Sequence, residues 1–226
     1  MNNKPASFLE YQIKEAFNYE NGFYLTSNIS RIRKIISHYE LYKQIMHLEG
    51  DIFEFGVFKG VSLIKWGTFR EIFEKSSSRK IYGFDIFDKF PETNFDKDKI
   101  LREQFIKDAG EMSITLEELQ EVFKFKKFQN IELIRGDILN TVPDFIKLNE
   151  KIKIALLHID VDIYEPSKII LENLYDKVVE GGIILLDDYG KFPGETKAVD
   201  DFFQDKKMKI KTLSFSESGP SYIIKE

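Results

Sequence analysis

Beyond Gly50 the sequence predicts an α/β domain built on a mostly parallel sheet. Short apolar runs alternate there with helical stretches, the texture of strands joined by crossover helices. Most of those runs end in a polar or acidic residue, where an open parallel sheet meets its ligand. The chain has 226 residues, 42% hydrophobic and 31% charged, enough for a real core without staples.

Taken in order, apolar spacing predicts helices over about Ser7–Tyr19 and Asn28–Leu48, a helical extension spanning residues 1–49. In the second helix Ile32, Ile35, Ile36, Tyr39 and Tyr42 form one stripe, with Asn28 or Ser30 as N-cap. Strands are expected at about Asp51–Val57, Lys80–Ile86, Ile131–Arg135, Lys153–Asp160 and Gly182–Asp187. A helix over Pro166–Val179 begins with proline in its first turn and closes at Gly181-Gly182. Another starts near Thr141, with Pro143 in its first turn, and Lys209–Phe215 and Ser221–Lys225 read as a closing antiparallel hairpin. Residues Phe87 to Asn130 interrupt the pattern. They contain the capping-box match Thr115-Leu116-Glu117-Glu118 and read as a helical lid over a ligand crevice, with Asp96–Arg102 as its exposed face.

Composition narrows the chemistry. There is no cysteine, which removes disulfides, thiolate metal sites and cysteine nucleophiles, and leaves Asp, Glu and three His as metal ligands. A net charge of −5 argues against a nucleic-acid partner. The apolar runs are short and the N-terminus is polar, so a cytoplasmic protein without a membrane partner is expected.

The strand ends carry the candidate site. After the first strand, Gly56 and Gly60 permit a tight turn and close backbone approach, and the following helix offers free N–H groups to an anion. Asp85 ends the second strand, where a carboxylate can accept both hydroxyls of a ribose. Glycines at such turns are common, and Phe58 breaks the dinucleotide fingerprint G-x-G-x-x-G. Glu54 is more telling: an acid within an apolar strand needs donors, which a cationic amino group on a ligand would supply. Further on, His158-Ile159-Asp160-Val161-Asp162 and Asp187-Asp188-Tyr189-Gly190 end two strands that, if adjacent, gather several carboxylates in one small volume. Such a group is either partly protonated or holds a divalent cation, magnesium (Mg2+) being suited to all-oxygen ligation. The plainer alternative makes Asp162 a helix cap and Asp187-Asp188 an Asx-turn.

The segments DIFEFGVFKGVS, LLHIDVDIYEPSKIILENLY and GGIILLDDYG, followed by AVDDFF at Ala198–Phe203, resemble the macrocin O-methyltransferase family of S-adenosylmethionine-dependent enzymes. The resemblance covers about Leu48 to Phe203 and departs at Val61, where many members carry a second glycine. It implies the Rossmann-like class I methyltransferase fold, a mostly parallel seven-stranded sheet with its last strand antiparallel. Residues 50–226 would then form the S-adenosylmethionine-binding domain. It implies further that Glu54, Gly56 and Gly60 surround the methionine end of the cofactor, with Ser62 holding its carboxylate. Asp85 would bind the ribose and Asp137 would lie near the adenine. Asp160, Asp187 and Asp188 match the magnesium ligands, with Asp160 also the general base.

Strand alternation puts His158 on the face of Asp160, as a second base, a substrate contact or a residue packed beneath the site. His38 and His47 read as surface or packing residues, and Lys59 and Lys197 as possible contacts to an anionic substrate. The implied reaction is O-methylation of a small-molecule hydroxyl, on a sugar or glycoside. An N-methyltransferase, a nicotinamide-dependent oxidoreductase and a non-catalytic nucleoside-binding protein are the alternatives. The nicotinamide reading explains neither Asp187-Asp188 nor the broken fingerprint; the non-catalytic one stands because fold does not fix function. Phe17, Tyr19, Phe23 and Tyr24 suggest a homodimer interface.

Overall fold

The computed structural model describes residues 7–206, 208–216 and 219–226; residues 1–6 of the N-terminal extension lie outside the described residues. In chain order the elements are β1 (Ser7–Phe8), β2 (Tyr11–Gln12), α1 (Ala16–Thr26), α2 (Ile29–Ile45), β3 (Asp51–Phe55), α3 (Val61–Phe73), β4 (Ile81–Asp85), α4 (Asp96–Ala109) and α5 (Leu116–Lys126). There follow β5 (Ile131–Arg135), α6 (Ile138–Leu148), β6 (Ile154–Ile159), α7 (Tyr164–Leu174), β7 (Val178–Leu186), α8 (Pro193–Phe203), β8 (Lys211–Thr212) and β9 (Ser221–Ile224).

Seven strands form one sheet in the order β5-β4-β3-β6-β7-β9-β8. β3 to β7 are parallel, and β9 runs antiparallel between β7 and β8. This is the class I methyltransferase architecture. Alternation along the strands sorts the core into two layers. Phe53, Phe55, Leu157, Ile159, Ile184 and Leu186 pack against α6, α7 and α8. Ile52, Leu156, Ile183 and Leu185 face α2, α3 and α5 through Leu41, Tyr42, Ile45, Leu63, Trp66 and Leu119. The second layer matters most for function, because Glu54, His158 and Asp187 fall in the same alternation and point toward α2 and α3. Among the described residues no helix is long and apolar enough to cross a membrane.

Several sequence-based boundaries are corrected. Ser7–Gln12 form a two-stranded hairpin, and the first helix begins only at Ala16. In α2 the buried face is Ser37, His38, Leu41, Tyr42 and Ile45; of the expected stripe only Tyr42 is buried, and Ile36 is exposed. The helix carries two part-apolar faces, and docking against α3 chooses between them. α6 starts at Ile138 because the Asp137 carboxylate accepts from the Leu139 N–H, which leaves Pro143 in the helix interior. α7 ends at Leu174, and β7 already begins at Val178, so Gly181-Gly182 lie within that strand rather than closing the helix. Of the final hairpin, the first arm is only Lys211–Thr212. The Thr115–Glu118 capping box is present with both reciprocal hydrogen bonds.

Candidate active site

A cavity of about 720 Å³ opens at the carboxyl ends of β3 to β7, where the strand order reverses between β3 and β6. Gly56 and Ser62, Asp85, Asp137, Asp160, Asp187 and Asp188 line it. The segment between β4 and β5 covers one side through Phe90, Pro91, Phe105 and Ser113.

The glycine turn is held by the sheet. Gly56 has φ +86°, and a Cβ there would lie 1.7 Å from the Asp160 carbonyl oxygen, so the ends of β3 and β6 approach as closely as they do only with glycine. Asp85 then locks the loop from the next strand. Its carboxylate accepts from the Phe58 N–H at 2.9 Å, the Phe87 N–H at 2.6 Å and the Ser113 hydroxyl at 3.1 Å. Asp137 caps α6 at the cavity edge.

Glu54, Gly60 and His158 do not line the cavity; Glu54 and His158 are fully buried behind its wall. Glu54 accepts from the Ser62 hydroxyl at 3.1 Å and lies 3.4 Å from His158 Nδ1, so its donors come from the chain, not from a ligand ammonium. His158 Nε2 faces Asp187 Oδ1 at 3.6 Å and Asp160 Oδ2 at 3.7 Å. Burial opposes its charge, yet Asp187 and Glu54 outweigh that and push the imidazole up to about 9. His158 is therefore a charged strut beneath the acids, out of a substrate's reach.

Asp160, Asp187 and Asp188 converge as the strand ends predicted, each offering a carboxylate oxygen within 4.8 Å of the others. Burial, with Asp187 and Asp160 alongside, pushes the Asp188 carboxyl up to about 6. Burial likewise raises Asp162, which shares its environment with Asp188 instead of capping α7, and the buried Glu195. Glu195 accepts from the Asp188 N–H at 3.1 Å. Asp187 Oδ1 is buried and makes no hydrogen bond among the described residues. Crowded carboxylates with an unused buried oxygen fit a hard divalent cation.

Three further residues, on α2 and α3, complete the site, and none of them is assigned to it from sequence. Lys34 on α2 reaches in, its ammonium 2.6 Å from Asp187 Oδ2 and 3.5 Å from Asp160 Oδ2. Burial opposes its charge, and the carboxylates overcome that and hold it protonated. One turn on, His38 is fully buried, stacked on Trp66 at 4.6 Å, with Nε2 3.8 Å from Asp187 Oδ1. Burial drives its pKa well down, so it stays neutral. Lys65 on α3 lines the cavity, its amine pushed down to about 8 by burial and by Lys34. The sequence signal for Lys34 and His38 was their i, i+4 spacing in line with Leu41 and Ile45. Lys59 lines the cavity but donates to the Met112 carbonyl, and Lys197 pairs with Asp201 outside it.

Residues 30–216 match the macrocin-O-methyltransferase (TylF) family. Over 145 residues the chain is 26% identical to the 8-demethyl-8-(2,3-dimethoxy-α-L-rhamnosyl)-tetracenomycin-C 4'-O-methyltransferase of Streptomyces olivaceus, an alignment covering 62% of this chain and 53% of that protein. The chain thus spans about half the length of that curated relative. Among solved structures, the calicheamicin methyltransferase CalS11 superposes with a TM-score of 0.78 at 26% identity, over 96% of this chain and 86% of that one. An apo form of CalS11, described as a TDP-rhamnose 3'-O-methyltransferase, gives 0.67 at 25% identity, over 96% and 87%. With the family match spanning most of its length, a strand order to suit and the acids gathered at the switch point, the chain belongs to the macrocin-O-methyltransferase family.

Proposed function

We propose that this protein transfers a methyl group from S-adenosylmethionine to a hydroxyl of a sugar or glycoside. The observation that carries the reading is the meeting, in one cavity, of a glycine turn built for close backbone approach and the Asp160-Asp187-Asp188 carboxylates. The cofactor's methionine end lies along Gly56 and Ser62, with Glu54 fixing the Ser62 hydroxyl from behind. Its ribose and adenine run toward Asp85 and Asp137. Residues 87–130 act as the lid, and residues 1–49 as an extension that completes the acceptor side of a domain spanning 50–226.

In the reaction the acceptor oxygen attacks the sulfonium methyl, the carbon–sulfur bond breaks and its electron pair stays on a neutral thioether. No leaving-group acid is needed. Asp160 takes the hydroxyl proton, and His158 and Lys34 behind it stabilise and orient the carboxylates. A magnesium ion held by Asp160, Asp187 and Asp188 would supply Lewis-acid polarisation of the hydroxyl. The acceptor class draws support from the relatives named for rhamnosyl and TDP-rhamnose substrates.

Calorimetric titration with S-adenosylmethionine and NAD(H), followed by product mass on nucleotide sugars and glycosides, tests the reading. We expect S-adenosylmethionine alone to bind and a deoxyhexose acceptor to gain one methylene on oxygen. Binding of NAD(H) in its place, or methylation only of amines, would overturn it. The enzyme works as a homodimer through α1, which buries none of its side chains and exposes Phe17, Tyr24 and Leu25. Small-angle scattering should return twice the 26.6 kDa chain mass; the monomer mass would refute this.

A further inference from the structure

Lys34 stands where the acid cluster would hold its ion. Its ammonium bridges Oδ2 of Asp187 and Oδ2 of Asp160, two of the three residues whose oxygens lie within 4.8 Å of one another. Asp187 Oδ1 and His158 Nε2 are both buried, without hydrogen bonds among the described residues, and face each other across the same cluster at 3.6 Å. The cluster thus has one position of strong negative potential, and a lysine from a different layer of the fold occupies it.

Resting on the proposal that the acids take magnesium, we infer that the Lys34 ammonium and a divalent cation are alternative occupants of the Asp160–Asp187 carboxylate pair, so that ion loading displaces Lys34. A magnesium ion needs oxygens at roughly 2.0–2.1 Å and would share both Oδ2 atoms with the ammonium. Two cations on the same two oxygens repel, the more so because Asp187 is buried. The lysine has room to move: its four-carbon stem is flexible, and it stands at the wall of the open cavity. While the ion is absent, Lys34 bridges the two carboxylates and holds them close together. When the ion enters, the freed ammonium moves to the acceptor side of the cavity. Metal loading and the shape of the acceptor pocket are thereby coupled through α2.

The test reads ion binding itself. Mn2+ affinity, measured from the electron paramagnetic resonance signal of free Mn2+, should tighten at least about tenfold in Lys34→Gln and stay near wild type in Lys34→Arg. In the wild-type protein, amine-reactive labelling read by mass spectrometry should increase at Lys34 when Mg2+ is added, with exposed Lys153 as the unchanging reference. That second measurement needs no variant to fold. Equal or weaker Mn2+ binding by Lys34→Gln, no Mn2+ binding by either protein at millimolar concentration, or Lys34 labelling indifferent to Mg2+ would each overturn the inference. S-adenosylmethionine binding is measured on the same preparations. Its loss with the competition intact would undo the methyltransferase reading and leave this one standing.

Discussion

Asp160 and His158 sit two residues apart on one strand end, yet their surroundings separate their roles. Asp160 lines the cavity, and in the proposed reaction its carboxylate takes the hydroxyl proton. Asp160→Asn should lower turnover by about 10²–10⁴-fold while leaving S-adenosylmethionine affinity within a few-fold. Near-normal turnover would remove the general base from the mechanism. His158 acts through pH. Its folded pKa of about 9 stands above the ordinary 6.5, so its stabilisation is fully present below 6.5 and is lost as pH rises through 9. Lys65, depressed to about 8, acts with the opposite sign above that pH, because the unfolded chain then holds the extra proton. Between pH 6.5 and 8 His158 should therefore contribute a loss of up to about 1.4 kcal/mol per pH unit to the metal-free protein, and His158→Gln should reduce the slope by that share. Urea midpoints across the window measure it, and an unchanged slope in the variant would assign the effect elsewhere. That His158 lies beneath Asp160 was readable from period-two alternation; that it bridges Glu54 and Asp187 required the neighbouring strands.

At the scale of elements, the excursion between β4 and β5 is fastened to the sheet's far side by the buried Asp98 carboxylate, and by Glu165 of α7, which accepts from the Thr93 hydroxyl and the Asn94 N–H. Asp98 on α4 accepts from the Gly194 N–H at 2.7 Å and the Tyr164 N–H at 3.1 Å, in the first turns of α8 and α7. Those N–H groups have no partner within their own helices, and the helix dipoles favour an anion there. Arg102, one turn on, donates to the Phe90 and Pro91 carbonyls. The charged run Asp96–Arg102, expected as an exposed face, thus buries Asp98 and Arg102. Asp98→Ala should destabilise the protein by about 1–3 kcal/mol and raise KM for the acceptor more than for the cofactor. Hydrogen exchange concentrated in residues 87–130 would accompany it; protection there equal to wild type would sink the latch.

Across the whole molecule the N-terminal helices share a core with the sheet. Leu41, Tyr42 and Ile45 of α2 pack with Ile52, Trp66, Leu156 and Ile183, and among the described residues no separate core lies under α2. Buried Arg79 ties the junction, donating to the Ile45, Leu48 and Gly50 carbonyls while paired with Glu74. Unfolding followed by Trp66 fluorescence and by far-ultraviolet circular dichroism should give one coincident transition. A separate early loss of helix would show that α2 detaches on its own. Arg79→Met should shift that single transition down by about 3–5 kcal/mol, because it strips a donor from three carbonyls and leaves the half-buried Glu74 carboxylate, among the described residues, with only the Tyr42 hydroxyl.

The order of strands and helices, the glycine turn and the acids after the strands were legible along the chain, because apolar period and strand-end polarity are local properties. The Asp160, Asp187 and Asp188 set was legible too, since parallel strands deliver their ends to one edge. Lys34, His38, Lys65 and Glu195 were not, nor was the outward turn of Ile36. Which face of α2 turns inward depends on what α3 and the sheet present to it, and a lysine one turn from a buried histidine reads locally as solvated. Packing brings that lysine onto Asp187, more than a hundred residues away, and so decides that a cation from the chain itself meets the acids of this site.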